Sequence, residues 1–186
     1  MKAGRVPVRG LTLMVLIVPA RPEDAAAIAA VHVDSWRETY EGIMPDWVLG
    51  SLSVADRTDL WRRVLSGGGW VLLARDGGPK GAVVGFVNGG PLRDAGARPH
   101  DGEVGGLYLR RSHQGCGGGR ALMAAAVRRL AVQGMTRLFV WVLADNRVAR
   151  GFYERLGGVA DRSQHDVIGG TRLREVRYRW DHLPRL

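Results

Sequence analysis

A glycine-rich segment between a strand-like run and a helix-like run is the feature that most constrains this chain. Residues 114–120 read Gln-Gly-Cys-Gly-Gly-Gly-Arg, with an apolar run over 103–109 before them and a helical pattern over 119–133 after them. Glycines at such a position let successive backbone N–H groups converge, and the following helix adds the positive end of its dipole. The segment therefore predicts a binding site for a phosphate or pyrophosphate group.

Two common nucleotide-binding motifs do not match this loop. A P-loop would need Gly-Lys followed by Ser or Thr, which the segment lacks. A dinucleotide-binding fingerprint that begins at Gly115 would need a glycine at its sixth position, where Arg120 stands. A glycine-rich turn without a ligand is the alternative that the loop alone leaves open.

The pattern on either side of the loop predicts a mixed sheet covered by helices. We expect strands over 11–18, 70–74, 82–87, 103–109 and 137–143, followed by one or two strands that include 176–180. Helices are expected over 22–40, 54–66, 119–133 and 147–156, with Ser53 as the N-cap of the second and Gly157 as the stop of the last. The last helix carries an apolar stripe of Val148, Phe152 and Leu156. The paired glycines Gly105 and Gly106 predict a bulge in the fourth strand. The fold class is therefore α/β, with a central, mostly antiparallel sheet and a parallel crossover from the fourth strand through the third helix to the fifth strand.

Length and composition are those of one globular domain. The 186 residues are 46% hydrophobic and 24% charged, and they contain no repeat and no long polar linker. We expect a single domain over residues 14–186, with residues 1–13 as a loose N-terminal extension. Cys116 is the only cysteine, and no Cys/His cluster has the spacing of a metal site. The resulting prediction is a reducing, cytoplasmic location, no membrane association and no metal.

The net charge is basic and unevenly distributed. The chain carries 27 Lys and Arg against 18 Asp and Glu, and most of the excess lies after residue 93. An anionic ligand of the second half would explain this excess, and so would an arginine-rich source composition, because only Lys2 and Lys80 are lysines. A basic nucleic-acid-binding protein is the non-enzymatic alternative, but the arginines are scattered and no aromatic-basic recognition motif accompanies them.

Three motifs in order resemble the GNAT superfamily of N-acetyltransferases. Gln114, Gly117 and Gly119 match the family's loop, which is written Gln/Arg-x-x-Gly-x-Gly/Ala. The segment 103–109 is similar to the family's fourth strand. The segment 146–157 is similar to its second motif, Asn-x-x-Ala-x-x-Phe-Tyr-x-x-x-Gly.

The likeness covers about residues 14–181, with three departures. Gly118 stands where the family usually has an aliphatic residue, Arg111 where proline is frequent, and Gly158 where an aromatic residue is common. Glycine keeps its backbone N–H, so the predicted donors of the loop are unaffected.

The resemblance implies that acetyl-CoA is the acetyl donor. Its pyrophosphate would bind the backbone N–H groups of the loop, and its pantetheine arm would pair with the end of the fourth strand. Asn146 would either cap its helix or contact the pantetheine, and Arg150 is a further candidate for an outer phosphate contact. The expected cofactor-binding residues are Leu107, Tyr108, Leu109, Gln114, Gly115, Cys116, Gly117, Gly118, Gly119, Arg120 and Asn146.

The resemblance also implies acetyl transfer to a primary amine by direct attack, assisted by one base and one acid. Glu103 is the expected base, because several family members use a Glu at this spacing before the loop, and Asp101 is its substitute. Tyr153 is the expected acid, because the family's matching tyrosine points at the CoA sulfur. We expect Phe152 to fill the core-facing position and to leave Tyr153 on another face of the helix.

The acceptor is an amine of a small molecule or a peptide whose identity the sequence leaves open. His32, Trp36 and Tyr40 recur at helical spacing and form either a pocket wall or a packing stripe, and Trp36 and Tyr40 are the candidate substrate-binding residues. We expect His165 and Asp166 in a loop near the acceptor site, and the apolar side of the last strand as a homodimer contact. An acetyl-CoA-binding sensor without turnover is the other alternative function.

Overall fold

The computed structural model describes residues 15–186; the predicted start of the first strand and the predicted N-terminal extension lie outside them. The strands over this range are β1 (Leu16–Pro19), β2 (Trp70–Asp76), β3 (Ala82–Pro91), β4 (Asp101–Leu109), β5 (Arg137–Leu143), β6 (Val159–Ile168) and β7 (Thr171–Trp180). The α-helices are α1 (Ala25–Tyr40), α2 (Asp46–Gly50), α3 (Val54–Ser66), α4 (Gly118–Val132) and α5 (Arg147–Arg155), and single 3₁₀ turns cover Pro22–Asp24 and Arg111–His113.

The seven described strands form one sheet in the order β1-β2-β3-β4-β5-β7-β6. Neighbouring strands are antiparallel except β4 and β5, which run parallel. Parallel neighbours cannot be joined by a tight turn, and α4 supplies the crossover between them. The predicted fold class, a mixed sheet flanked by helices with one parallel crossover, is confirmed.

Helices cover the two faces of the sheet with separate cores. On one face, Val104, Val140 and Tyr178 from three adjacent strands pack with Leu122 of α4 in the larger core. On the other face, α1 and α3 pack over β2 and β3. Successive side chains of a strand point to opposite faces, so a strand that contributes to the larger core also presents residues to the opposite side.

Caps predicted from the sequence set the helix boundaries. Ser53 Oγ accepts a hydrogen bond from the Asp56 N–H at 3.2 Å at the start of α3. Asn146 Oδ1 accepts from the Ala149 N–H at 3.0 Å at the start of α5. Just beyond α5, Gly157 has a φ of 84°, the left-handed conformation that ends many helices. The predicted cap at Ser53, the capping role of Asn146 and the stop at Gly157 are confirmed.

The predicted bulge lies in β4. Asn88 of β3 is opposite Gly106 and Gly89 is opposite Val104, so Gly105 has no partner on β3. A Cβ at Gly89 would lie 2.2 Å from the carbonyl oxygen of the residue before Val104, so this close approach requires glycine. A bulge bends its strand, and this one lies next to the level at which β4 leaves β5.

The last third of the chain forms two strands, within the one or two that the sequence predicts. The predicted loop position of His165 and Asp166 is wrong, because both residues lie within β6. The final strand, β7, is between β5 and β6, and its apolar residues at 176, 178 and 180 are buried in the larger core. The apolar side on which a dimer contact was predicted is therefore inside the molecule.

The short helix α2 also has no predicted counterpart, because five residues are too few to show a helical period.

Candidate functional site

A cleft opens where β4 and β5 separate. The two strands pair at only three positions, the last of them between Glu103 and Phe139. Beyond that level the C-terminal halves of both strands line a cleft of about 1230 Å³, together with residues of α1, α5 and the glycine-rich loop. Sites for drug-sized ligands have volumes of roughly 300–1000 Å³, so this cleft has room for a longer molecule.

The glycine-rich loop forms one end of the cleft. Gly115 and Gly117 have φ values of 74° and 88°, which residues with a Cβ rarely adopt. Within the described residues, nothing accepts a hydrogen bond from the backbone N–H groups of residues 115–120, which include the first three of α4. Consecutive free donors at the positive end of a helix form an anion site, as the sequence predicts. Cys116 is exposed within it.

Gln114 ties this loop to the end of β4. Its side-chain amide donates to the carbonyl oxygen of Leu109 at 2.8 Å. The N–H of Arg110 donates to the carbonyl oxygen of Val84 in β3. Along an antiparallel strand, successive N–H groups point alternately toward and away from the paired strand. Leu107 and Leu109 therefore direct their N–H groups away from β3 and into the cleft. Tyr108 directs its own N–H toward β3. The predicted backbone contact with a pantetheine arm thus fits Leu107 and Leu109 but not the Tyr108 N–H.

Arginine side chains surround the loop end of the cleft. Those that line it are Arg111, Arg120, Arg147 and Arg155. Arg150 is not among them, because its guanidinium donates to the Tyr178 hydroxyl at 3.1 Å and to the Ala144 carbonyl at 3.0 Å. The position of Arg120 agrees with an outer phosphate contact, whereas Arg150 does not line the cleft.

Glu103 lines the cleft, and both oxygens of its carboxylate interact with Arg93. Its side chain is 8% exposed and forms an ion pair with the Arg93 guanidinium, while its second oxygen accepts from the Arg93 N–H at 3.3 Å. Asp101, the predicted substitute, does not line the cleft. It is 3% exposed and accepts two hydrogen bonds of 2.6 Å from Arg137, which fasten β4 to β5.

Three tyrosines from three elements meet beside the cleft: Tyr40 of α1, Tyr108 of β4 and Tyr153 of α5. Burial raises the pKa of each phenol, and the nearby Tyr108 hydroxyl raises the pKa of Tyr40 and Tyr153 further. A hydrogen bond with the Asn146 side chain acts in the opposite direction on Tyr40. All three phenols therefore keep their protons at neutral pH and are available as hydrogen-bond donors.

Helix α5 presents its aromatic residues differently from the prediction. Tyr153 is 6% exposed and belongs to the larger core, where its ring contacts that of Tyr178. Phe152 is only partly buried and packs beneath the loop, 3.5 Å from the position that a Cβ on Gly119 would take. Val148, which begins the predicted apolar stripe, is 76% exposed. The assignment of Phe152 rather than Tyr153 to the core is wrong, although both residues line the cleft.

The aromatic stripe on α1 divides between cleft and core. Trp36 and Tyr40 line the cleft, with ring centroids 5.2 Å apart. His32 is buried, stacks on Tyr108, and accepts a hydrogen bond from Trp61 Nε1 at 3.1 Å. The packing interpretation thus holds for His32, and the pocket-wall interpretation agrees with the positions of Trp36 and Tyr40.

Polar residues of the last three strands complete the cleft, and most of them were not predicted. Gln164 of β6 donates its side-chain amide to Glu175 of β7 at 3.2 Å. Trp141 of β5 donates its indole N–H to Asp94 at 2.9 Å. The alternating pattern of the last strand contained a signal for Glu175, because burial of its apolar positions turns the polar ones to the opposite face.

Over 15–186, no group of three or more His, Cys, Asp or Glu side chains is arranged to hold a metal ion. Among the helices of this range, none has both the length and the apolar character needed to cross a bilayer.

Known proteins are similar to this chain in sequence and in fold. The model of the acetyltransferase (GNAT) family matches residues 26–158. YuaI of Bacillus subtilis, described as an uncharacterized N-acetyltransferase, is 38% identical over 174 residues, which are 93% of this chain and 96% of YuaI. A GCN5-related N-acetyltransferase from Rhodopseudomonas palustris has a TM-score of 0.72 at 24% identity over 92% of this chain and 98% of that chain. The PaiA N-acetyltransferase from Thermoplasma acidophilum, solved in complex with coenzyme A, has a TM-score of 0.66 at 19% identity, over 90% and 99% of the two chains.

Proposed function

The chain belongs to the GNAT acetyltransferase family and is an N-acetyltransferase, and from this premise we propose that it acetylates a primary amine of a small molecule or peptide with acetyl-CoA as donor. The observation that carries the proposal is the run of free backbone donors over 115–120, which opens onto one end of a cleft with carboxylates at the other. The coenzyme A complex of the PaiA enzyme supports the choice of donor.

The loop end of the cleft suits coenzyme A chemically. The free N–H groups of residues 115–120 suit a pyrophosphate, and the N–H group of Leu109, next to the loop, suits an amide of the pantetheine arm. Arg120 lies where it adds positive charge around the phosphates. Asn146 caps α5 with its carbonyl oxygen and keeps its amide group at the cleft wall. Acetyl-CoA supplies an activated thioester for attack by the acceptor nitrogen.

Glu103 is the base in this proposal. The new N–C bond forms as the C–S bond breaks, and the acceptor nitrogen must lose a proton. Glu103 receives this proton through a water molecule, because Arg93 engages both of its carboxylate oxygens. The 79% exposed side chain of Arg93 leaves the pair open to solvent on that side, which allows such a water to approach.

Tyr153 is the acid. Its phenol is protonated at neutral pH, and burial raises its pKa, so it keeps its proton until negative charge develops on the departing sulfur. It then donates the proton to the thiolate and regains one from solvent. The Leu107 N–H, which faces the cleft and lies nearer Glu103 along β4, is the backbone donor for the thioester carbonyl oxygen as negative charge develops on it. Glu103 then releases its proton to solvent, so the enzyme is unchanged after each turnover.

Calorimetric titration with acetyl-CoA and with CoA tests the proposal. We expect micromolar binding by the wild-type protein and no measurable binding by the Gly117→Asp/Gly119→Asp double variant, because two carboxylates would repel the pyrophosphate. The Gly134→Asp variant is the matched control: Gly134 also has a positive φ and open space around it, but it lies at the opposite end of α4. This control should bind acetyl-CoA like the wild type.

Free-thiol release with a panel of primary amines then tests turnover. Donor binding without release for any amine would favour a non-catalytic acetyl-CoA sensor. Absence of donor binding in the wild type, together with salt-sensitive binding to DNA, would replace the proposal with the nucleic-acid-binding alternative.

A further inference from the structure

The strand pattern creates a polar wall on the sheet face opposite α4 and α5. Val140 of β5 and Val176 of β7 point into the larger core. Their neighbours Trp141 and Glu175 therefore point to the other face, where both line the cleft with Glu103. This polar wall, made of Glu103, Trp141, Glu175, Gln164 and Asp166, lies on the opposite sheet face from α4, whose first turn carries the end of the glycine-rich loop.

Some carboxylates near the polar wall have arginine partners. Asp94 forms an ion pair with Arg177 at 2.6 Å, and Glu103 pairs with Arg93. A paired carboxylate has its charge balanced within the protein. These two groups need no charged ligand.

Glu175 and Asp166 differ from them. Over residues 15–186, the hydrogen-bond partner of the Glu175 carboxylate is the neutral amide of Gln164, and Asp166 accepts from the backbone N–H that follows it. Neither carboxylate has an ion-pair partner among the described residues, although Glu175 is half-buried. Removing a carboxylate from water without a cation is unfavourable, so a positively charged ligand would stabilise this arrangement.

The opposite side of the cleft has an unsatisfied polar group as well. Ser35 of α1 is 2% exposed and lines the cleft, and its hydroxyl has no hydrogen-bond partner among the described residues. Buried polar groups normally find partners, so this hydroxyl is a second sign that a polar ligand occupies this side of the cleft.

From this juxtaposition we infer that Glu175, assisted by Asp166, binds a second cationic group of the acceptor, so that the preferred acceptor is a diamine or polyamine. The inference rests on the proposed function and narrows its substrate class. Glu175 acts as a specificity residue that holds the part of the acceptor that does not react.

The reacting nitrogen cannot be the group that Glu175 holds. A carboxylate beside an ammonium group favours its charged form, whereas attack on a thioester requires a neutral amine. Glu103 is level with Phe139 on β5, and Glu175 is level with Leu143, four residues further along that strand. At about 3.3 Å per residue this separation is roughly 13 Å along the strand, which leaves space for an alkyl chain between two nitrogen atoms.

The electrostatics of the polar wall agree with a cationic ligand. Burial raises the pKa of Glu175, and the negative charges of Asp166 and Asp94 raise it further, while the hydrogen bond from Gln164 lowers it. A cation at this position would reverse these unfavourable effects on the ionised carboxylate.

The test compares 1,6-diaminohexane with n-hexylamine, which share a chain and differ by one ammonium group. We expect the CoA-saturated protein to bind the diamine more tightly in calorimetry, and kcat/KM for the diamine to be about 10- to 100-fold higher, as for one charge-assisted contact. In Glu175→Gln the KM of the diamine should rise by about the same factor while its kcat changes little. Glu175→Asp should recover part of the loss.

Asp59→Asn is the control, because it removes one negative charge from the exposed surface of α3, where Asp59 pairs with Arg62. It should leave the preference for the diamine unchanged. Equal affinity of the wild type for the two amines, or an equal loss for both in Glu175→Gln, would overturn the inference. A failure of acetyl-CoA to bind would instead overturn the proposed function, and titration of the two amines into the protein alone would still report on Glu175.

Discussion

The two ends of the cleft are built from different parts of the chain. The loop end consists mainly of backbone N–H groups over 115–120, which glycines bring together within a few residues. The polar wall consists of side chains from β4, β5, β6 and β7, which are far apart in the sequence. A backbone site depends on the path of one short segment, whereas a side-chain site depends on every strand reaching its correct register.

This difference explains why a sequence motif predicts the proposed donor-binding end of the cleft but not the proposed acceptor-binding end. A short glycine pattern is enough to predict an anion site at a helix start. The alternation of β7 indicates only which face Glu175 is on, and no short pattern assigns Glu175 or Trp141 to a binding site, because the neighbours of each strand depend on the whole sheet. Mutations should therefore act differently at the two ends, through conformation at the loop and through individual side chains at the polar wall.

Tyr153 lies between the two ends, and its replacement should have the largest effect on catalysis. In Tyr153→Phe we expect kcat to fall about 100- to 10,000-fold, the range for loss of a general acid, with the Kd for acetyl-CoA unchanged. The ring that packs in the larger core is retained, so the fold should be preserved. Thiol-release kinetics and calorimetry measure the two quantities.

Tyr178→Phe is the matched control for that variant. Tyr178 is also buried, but its hydroxyl bonds Glu154 and Arg150 outside the cleft. Its loss should lower the free energy of unfolding by about 1–3 kcal/mol and leave kcat near the wild-type value. Equal losses of kcat in both variants would show that Tyr153 acts only through packing.

His32 should make the free energy of unfolding decrease as the pH falls. Its pKa is lowered from 6.5 to about 4, first by burial and then by the positive charge of Arg57. The unfolded chain takes up a proton as pH falls through 6.5, but the folded protein does not until about pH 4. The contribution of neutral His32 to the free energy of unfolding is therefore fully present above pH 6.5. It is lost progressively as the pH falls to 4, by a total of about 3 kcal/mol.

Urea unfolding at pH 7, 5.5 and 4 checks this prediction. The His32→Phe variant should be less stable at pH 7, because the Trp61 N–H loses its acceptor, but its free energy of unfolding should fall less steeply with pH. The free energy of unfolding of the wild type, relative to that of His32→Phe, should fall by about 3 kcal/mol between pH 7 and pH 4. A constant difference at the three pH values would exclude His32 as the titrating group.

Most of the fold followed from local patterns in the sequence. The glycine-rich loop, the bulge at Gly105, the cap at Ser53 and the crossover between β4 and β5 each rest on a few neighbouring residues. Local patterns could not decide which of Phe152 and Tyr153 enters the core. Adjacent residues on a helix differ by only about 100° in direction, so the choice depends on the rings contributed by β7.

Long-range packing also explains two departures from the family pattern. A Cβ at Gly158 would lie 2.6 Å from the Trp180 ring, so that indole occupies the space next to the glycine. A Cβ at Gly118 would lie 3.1 Å from the Leu109 side chain, which fills the equivalent space beside the loop. In both cases the neighbour comes from a different strand, and a motif that spans only consecutive residues cannot include it.

Arg120 should have the smallest effect, and it tests directly whether the loop end depends on its backbone. Arg120 is exposed at the start of α4, so its charge acts on the phosphates through solvent. In Arg120→Gln we expect the Kd for acetyl-CoA to rise by less than about fivefold at moderate salt, because exposed ion pairs contribute little. Calorimetry at low and high salt measures the change.

The salt dependence distinguishes the two possible roles of Arg120. If backbone N–H groups provide most of the affinity, the difference between Arg120→Gln and the wild type should disappear at high salt, where the exposed charge is screened. Arg129→Gln, at the other end of α4, removes the same charge remote from the loop and should bind acetyl-CoA like the wild type at both salt concentrations. A loss of more than about 100-fold in Arg120→Gln alone, maintained at high salt, would mean that one side chain dominates the loop end. That result would contradict the claim that the loop end binds its ligand mainly through backbone N–H groups.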